Sequence, residues 1–253
     1  MPSRSHQTRA LLLRSIDYRD SDRIVTLLTE DYGKLSALAR GARKSQRRFG
    51  GALQPYVLMH ACFRPGRGEL AHLERVSVDR SFHKILRSLG AIGAAGAALA
   101  VIRERVPDHE HEPAVFDAAV RFLAALDGGA PAEEALLSLQ IRVLALLGFA
   151  PTLDRCIHCG KTPEPRHSAS FDAQRGGIVC RSCGGGRLVL SSAALRRWMI
   201  VEATSELPVE PWPLRERQEI HAALAQLDAG HATVAVRERT APLSGSWRGA
   251  SSE

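Results

Sequence analysis

The sequence predicts an α+β, multidomain protein. A small closed β-barrel stands at the N-terminus, and a helical C-terminal domain carries an inserted four-cysteine zinc ribbon. Three observations predict this. Five short strand-like segments separated by turn residues fill about the first 75 residues. From Ser81 the apolar period changes from 2 towards 3.6. Two CxxC pairs, Cys156/Cys159 and Cys180/Cys183, lie 20 residues apart in the second half.

The first strand is expected over Thr8–Ile16, apolar through its middle, and the second over Arg23–Thr29 after a polar turn. Glu30-Asp31-Tyr32-Gly33 reads as a hairpin, with Gly33 available for positive φ. Lys34–Ala39 returns as the third strand, Leu53–Arg64 forms the fourth, and Leu70–Val78 the fifth after the Pro65–Gly68 turn. A five-stranded OB barrel is the commonest nucleic-acid-binding solution of this size, although periodicity alone does not separate it from an SH3-like barrel.

Phe82, Ile85, Leu86 and Leu89 then mark one helical face, in a helix that runs through an Ala/Gly-rich stretch to Arg105 and stops before Pro107. A second helix is expected over Pro113–Asp127, with proline suited to its first position. A third starts near Pro131, carries Leu136, Leu137, Val143, Leu144 and Leu147, and ends at Gly148. After the cysteine segment, Ser191 or Ser192 caps a helix through Ala203. Pro213 opens another, with Ile220, Leu224 and Leu227 on one face, ending near Gly230. The expected domains are a barrel over 1–79, helical parts over 80–151 and 191–236, the ribbon over 152–190, and a disordered tail over 237–253.

Charge points to function. Residues 1–79 hold 14 Lys and Arg against 8 Asp and Glu, a net of +6 out of +7 for the whole chain. Such asymmetry argues for a dedicated basic domain facing an anionic partner. Its centre is a loop in which Arg40, Arg43, Lys44, Arg47 and Arg48 fall within nine residues, punctuated by Gly41, Gly50 and Gly51. Five such cations cannot be buried without partners. The bland alternative is a solvated linker. The loop's place between strands, the concentration of charge there and the predominance of arginine favour a phosphate-contacting loop. Arg23, Lys34, Arg64 and Arg67 could extend the patch. The stacking candidates nearby are Tyr32, Phe49, Tyr56 and Phe63, each equally suited to the barrel core. So few aromatics point to backbone-dominated, sequence-tolerant binding.

The CxxC pairs, each followed directly by glycine (Gly160, Gly184), suit one tetrahedral Zn²⁺ held by Cys156, Cys159, Cys180 and Cys183. Between them Ser168–Phe171 can pair with Ile178-Val179. His158 and His167 are less suited substitute ligands. A closed Cys₄ shell leaves no position for water, so the site reads as structural. Cys62 is most simply a core residue. His109-Glu110-His111-Glu112 lacks the HExxH spacing and reads as a solvated loop. No P-loop, GxGxxG or GxSxG motif occurs. Asp17, Asp20 and Asp22, the one close acidic group, are better explained as a hairpin turn than as a metal cluster. The N-terminal MPSRSHQTR lacks an apolar export signal, and the longest apolar run, Leu89–Ile102, is too short to span a bilayer. A cytoplasmic, non-membrane protein is expected. Three functional classes remain: a non-enzymatic DNA-binding protein, a nucleic-acid-processing enzyme using barrel and ribbon as targeting modules, and an RNA-binding protein.

Several stretches carry a resemblance: A10-L-L-L-R, L27-L-T-E-D-Y-G-K-L, A39-R-G-A-R-K-S leading to L53-Q-P-Y, L144-A-L-L-G-F-A-P, C156-x-x-C-G, F171-x-x-x-x-G-G and C180-x-x-C. In this order, over about residues 8–200, they resemble the RecO family of bacterial DNA-repair proteins. The resemblance implies an OB-fold, a helical domain and a zinc ribbon of the zinc-containing branch, with the four cysteines as ligands. It implies binding of single- and double-stranded DNA through the basic loop, annealing of complementary strands, and a nucleoid-associated role. It further implies that, with RecR, the protein loads RecA onto DNA coated by single-strand-binding protein, whose acidic C-terminal tail binds the helical domain. Gln140 departs from the family, which often has an acidic residue there, and the region from Leu207 matches loosely.

Overall fold

The computed structural model describes residues 4–66, 68–164, 167–204 and 206–238. Arg67 and the expected tail from residue 239 onward lie outside the described residues. Contacts divide the described chain into two compact units. One comprises residues up to 150 together with 196–217, and the other comprises 151–195 together with those from 218 on.

In the first unit, β1 (His6–Tyr18), β2 (Asp22–Thr29), β3 (Gly33–Ala39), β4 (Val57–Arg64) and β5 (Ala71–Ser81) close in the order β1-β2-β3-β5-β4. Neighbours run antiparallel except β3 and β5, which are parallel. This order is that of the Greek-key OB barrel, which separates it from the SH3-like alternative. The run Ala10–Leu13 is apolar throughout because β1 is buried on both faces there. Ala10 and Leu12 join Val25, Leu27, Leu35, Met59 and Phe63 inside the barrel, while Leu11 and Leu13 join Leu28 and Leu58 against the helices. Strand β4 begins at Val57, not Leu53, because Tyr56 takes a left-handed conformation (φ 61°). Leu53 nevertheless fills the barrel interior.

Helices α2 (Leu89–Arg105), α3 (Pro113–Asp127) and α4 (Ala132–Leu146) follow, after a short helix α1 (Gln46–Phe49) within the basic loop. Ala91, Ala94, Ala95 and Ala98 give α2 a small-residue face buried in the same core as Phe116, Phe122, Leu139 and Val143. The helix expected from Ser81 is not continuous. His83–Arg87 forms a 3₁₀ turn, and Ser88 is extended and caps α2 by accepting the Ala91 N–H. The Asp127 carboxylate accepts the Lys84 N–H at 2.7 Å and holds the turn. Phe82 and Ile85 are buried, but Leu86 and Leu89 are exposed. Gly148 (φ 79°) ends the α4 segment, as its position in the sequence suggests.

Helices α5 (Ser192–Ala203) and α6 (Leu214–Glu238) each begin in one unit and end in the other. Ser191 caps α5, its hydroxyl accepting the Ala194 N–H. Ile220, Leu224 and Leu227 are buried along α6. In the first unit the buried Glu134 accepts from the Arg217 guanidinium at 2.9 Å and from the Trp212 N–H at 3.3 Å. This tie joins α4 to the α5–α6 connection, and its charge is tolerable in the core because it is paired and hydrogen-bonded. Among the described residues no helix is long and apolar enough to cross a membrane.

Gly33 (φ 65°) turns the β2–β3 hairpin directly beneath the α2–α3 connection, where an added Cβ would lie 1.9 Å from the Glu110 carbonyl oxygen. Gly51 (φ 71°) has open space at the same position. Urea unfolding should therefore separate the two. Gly51→Ala is expected to cost about 1 kcal/mol, the left-handed penalty alone, and Gly33→Ala about 3 kcal/mol or more, because backbone must also move. Equal losses would show that the connection yields freely.

Candidate nucleic-acid interface and metal centre

The basic loop leaves the end of β3 and is built from consecutive tight turns. The Ser45 N–H donates to the Gly41 carbonyl at 2.9 Å and the Phe49 N–H to that of Ser45 at 3.2 Å. Gly41, at φ 66°, supplies the left-handed residue of the first turn. Phe49, Ala52 and Leu53 are buried in the barrel core and anchor the loop's far end. Its near end is tied to the β1–β2 hairpin. The Asp22 Oδ1 accepts the Gly41 N–H at 2.8 Å, and the Ser21 carbonyl accepts the Arg43 N–H at 3.0 Å. Asp17 pairs with Arg23 at 3.1 Å and Arg43 at 3.8 Å. Asp17 and Asp22 thus hold the loop in place, while Asp20 is exposed in the turn between β1 and β2. Arg40, Arg43, Lys44, Arg47 and Arg48 are all exposed. The Arg48 guanidinium folds back, donating to the Arg40 carbonyl at 2.9 Å and covering the Phe49 ring at 5.1 Å.

The other cations expected in the patch differ in setting. Arg23 is half-buried beside the loop through Asp17. Lys34 is buried, its Nζ donating to the Arg103 carbonyl at 2.6 Å and pairing with Asp108 at 3.3 Å. It caps the C-terminal end of α2 and is not presented to solvent. Arg64 pairs with Glu74 at 2.5 Å. The Ser5 hydroxyl, with this guanidinium, holds the Glu74 carboxyl below the usual carboxylate range. Arg67 lies outside the described residues.

The aromatics also sort themselves. Phe49 and Phe63 are barrel core, and the Tyr56 hydroxyl donates to the Ile92 carbonyl. Tyr32 contacts His6 and Phe63 at the end of β3 opposite the basic loop. Tyr18, absent from the sequence candidates, is exposed on the hairpin that holds the loop. Its position on a strand whose last five residues are all exposed is the signal that sequence reasoning missed. Cys62 is a core residue whose thiol is pushed up by burial. His109, Glu110 and His111 are exposed and Glu112 half-buried, yet the segment is anchored through the His109 N–H to the Lys34 carbonyl at 2.8 Å and His111 Nε2 against the Glu30 carbonyl at 3.1 Å.

In the second unit the two knuckles converge. The ligand atoms of Cys156, Cys159, Cys180 and Cys183 lie within 4.8 Å of one another. Strands β6 (Ala169–Asp172) and β7 (Gly177–Val179) form the expected hairpin, and β8 (Leu188–Leu190) adds a third strand beside β6. Gly160 (φ 72°) and Gly184 (φ 99°) close the knuckles in left-handed conformations. The Cys180 N–H donates to the Cys156 Sγ at 3.3 Å. Chiefly through this N–H, the Cys156 thiol is lowered to about 6. The crowding works the other way at Cys183, which is pushed up to about 12 by hydrogen bonds to the Cys180 and Cys159 sulfurs. Four thiolates this close repel strongly, so the set fits a bound cation, and four-sulfur donation suits a soft divalent metal.

Comparison with known proteins agrees with this architecture. The family model "Recombination protein O N terminal" matches residues 1–82 and "Recombination protein O C terminal" matches residues 86–235. A DNA repair protein RecO of Anaeromyxobacter sp. strain K is 39% identical over 246 residues, covering 93% of this chain and 96% of that one. That of Anaeromyxobacter dehalogenans strain 2CP-C is 45% identical over 177 residues, 70% of this chain and 69% of its own. That of Geobacter sulfurreducens is 36% identical over 187 residues, 74% and 76%. With an OB barrel, a helical region and a four-cysteine cluster in the matching order, the chain belongs to the RecO family of DNA repair proteins.

Proposed function

We propose that this protein is a non-enzymatic mediator of recombinational DNA repair. It binds single- and double-stranded DNA, anneals complementary strands and, with RecR, helps load RecA onto DNA coated by single-strand-binding protein. The observation that carries the DNA-binding part is the loop holding Arg40, Arg43, Lys44, Arg47 and Arg48, all exposed at one end of the barrel. Cations there neutralise phosphates of two strands and lower their mutual repulsion, so that complementary bases can pair without nucleotide hydrolysis. Arg23 extends the contact, Arg64 is exposed but paired with Glu74, and Lys34 serves inside the protein. A Zn²⁺ on Cys156, Cys159, Cys180 and Cys183 fixes the ribbon and takes no part in chemistry.

For the acidic tail of single-strand-binding protein we infer a small cleft between α3, α4 and the end of α5, lined by Arg121, Leu139, Arg142, Val201 and Leu207. The Arg142 Nε and Ser138 Oγ are buried there without a partner among the described residues. Such donors beside apolar walls suit a peptide ending in acidic and apolar groups.

If about five cations contact phosphate, log K should fall with log salt at a slope of roughly −3.5 to −4.5. Replacing Arg43, Lys44, Arg47 and Arg48 with Ala should flatten that slope by about 3 and slow annealing; an unchanged slope would remove the loop from the interface. Cys156→Ser with Cys159→Ser should abolish the one equivalent of zinc seen by metal analysis and lower the melting temperature. Unaltered metal content would overturn the zinc assignment. Arg121→Glu, at an exposed position, should weaken binding of the isolated acidic tail peptide at least tenfold while melting and DNA binding persist. Unchanged peptide affinity would exclude the cleft.

A further inference from the structure

Among the described residues, the outer face of the barrel beyond the helices carries an exposed apolar surface. The register brings Ile16 opposite Ile24, Ile24 opposite Leu38, and Tyr18 opposite Asp22. These side chains point away from the interior, because the intervening Val25, Ala37 and Ala39 point into it. Ile16 is 44% and Tyr18 38% exposed, and Ile24 and Leu38 are partly exposed. Nearer the helices the same face is covered, since Leu11 and Leu28 belong to the helical core and Lys34 is buried.

Cations frame the exposed part. Arg14 follows the same alternation, two residues before Ile16, and Arg40 two residues after Leu38; both are exposed. Arg19, in a left-handed conformation unusual for a bulky residue (φ 52°), puts its guanidinium 5.1 Å from the Tyr18 ring centroid. The hydrogen bonds from Gly41 and Arg43 to the hairpin fix this face in relation to the basic loop. An aromatic ring and branched aliphatics inside a frame of arginines are the complement of a strand with flat bases on one side and phosphates on the other. A paired duplex hides its base faces and gains nothing from the ring.

We propose that Tyr18, on the same face as Ile16 and Ile24 and framed by Arg14, Arg19 and Arg40, is a base-stacking residue that gives the protein its grip on single-stranded DNA. This rests on the reading of the neighbouring loop as a phosphate contact, to which it adds recognition of the base. The full-length protein is titrated by fluorescence anisotropy against labelled oligo-dT and against an abasic oligomer of the same length and charge. Phosphate contacts are common to both, so their affinity ratio isolates stacking. Wild type should prefer oligo-dT about tenfold, the scale of one stacked base. Tyr18→Ala should remove that preference and leave abasic and duplex binding unchanged, whereas Tyr18→Phe should keep it. Loss of the basic loop weakens all three ligands together, so failure of the loop assignment is seen separately. Equal binding of both oligomers by wild type overturns the proposal. So does an unchanged ratio in Tyr18→Ala, which would leave the face to a protein partner.

Discussion

The burial of β1 on both faces constrains everything else in the first unit. Every side chain from Ala10 to Leu13 is buried. Alternate residues fill the barrel and seat the helices, each fully buried leucine contributing about 1.5–3 kcal/mol. A strand used twice in this way cannot carry charge along its middle. The bulge between Leu12 and Arg14 marks where the double burial ends, and from Arg14 to Asp20 every residue is exposed. Arg14 and Arg19 therefore follow the doubly buried run, towards the end of the barrel where the β1–β2 hairpin and the basic loop meet.

Desolvation then decides which cations remain available. Lys34 shares the patterned stretch that leads into the loop, yet it points to the covered part of the outer face. There it is stabilised only because the carbonyl end of α2 and Asp108 receive its ammonium. Arg40 lies six residues further on, at the open end, and is exposed. Lys34 in β3 and Arg40 just beyond its end thus meet opposite surroundings because of the position of the helices, not because of their own chemistry.

This is also where the sequence stopped being legible. The strands, Gly33 in its hairpin, α3 and the cysteine knuckles follow from local rules of period, turn chemistry and ligand spacing, and all appear in the structure. What was not local was not visible. The 3₁₀ turn at His83–Arg87 depends on Asp127, some forty residues away. The buried Glu134 depends on Arg217 and Trp212. Tyr56, Phe49 and Tyr18 are alike as sequence positions near a basic stretch. Only barrel closure turns the first two inward and leaves the third in solvent.

The acidic residues around the loop complete the physical account. Five like charges within nine residues would splay the loop if nothing opposed them. Asp22 binds its backbone, and Asp17 draws Arg23 and Arg43 to one side. Such partly exposed pairs are worth about 1 kcal/mol or less each, sufficient to bias the loop's position and too little to exclude a competing phosphate. Arg40, Lys44 and Arg47 have no carboxylate partner among the described residues. On the proposed reading, DNA first meets these three and then displaces Asp17 from Arg43 at small cost. Contacts of that strength exchange readily, and annealing requires exchange: a strand held too firmly could not slide into register with its complement.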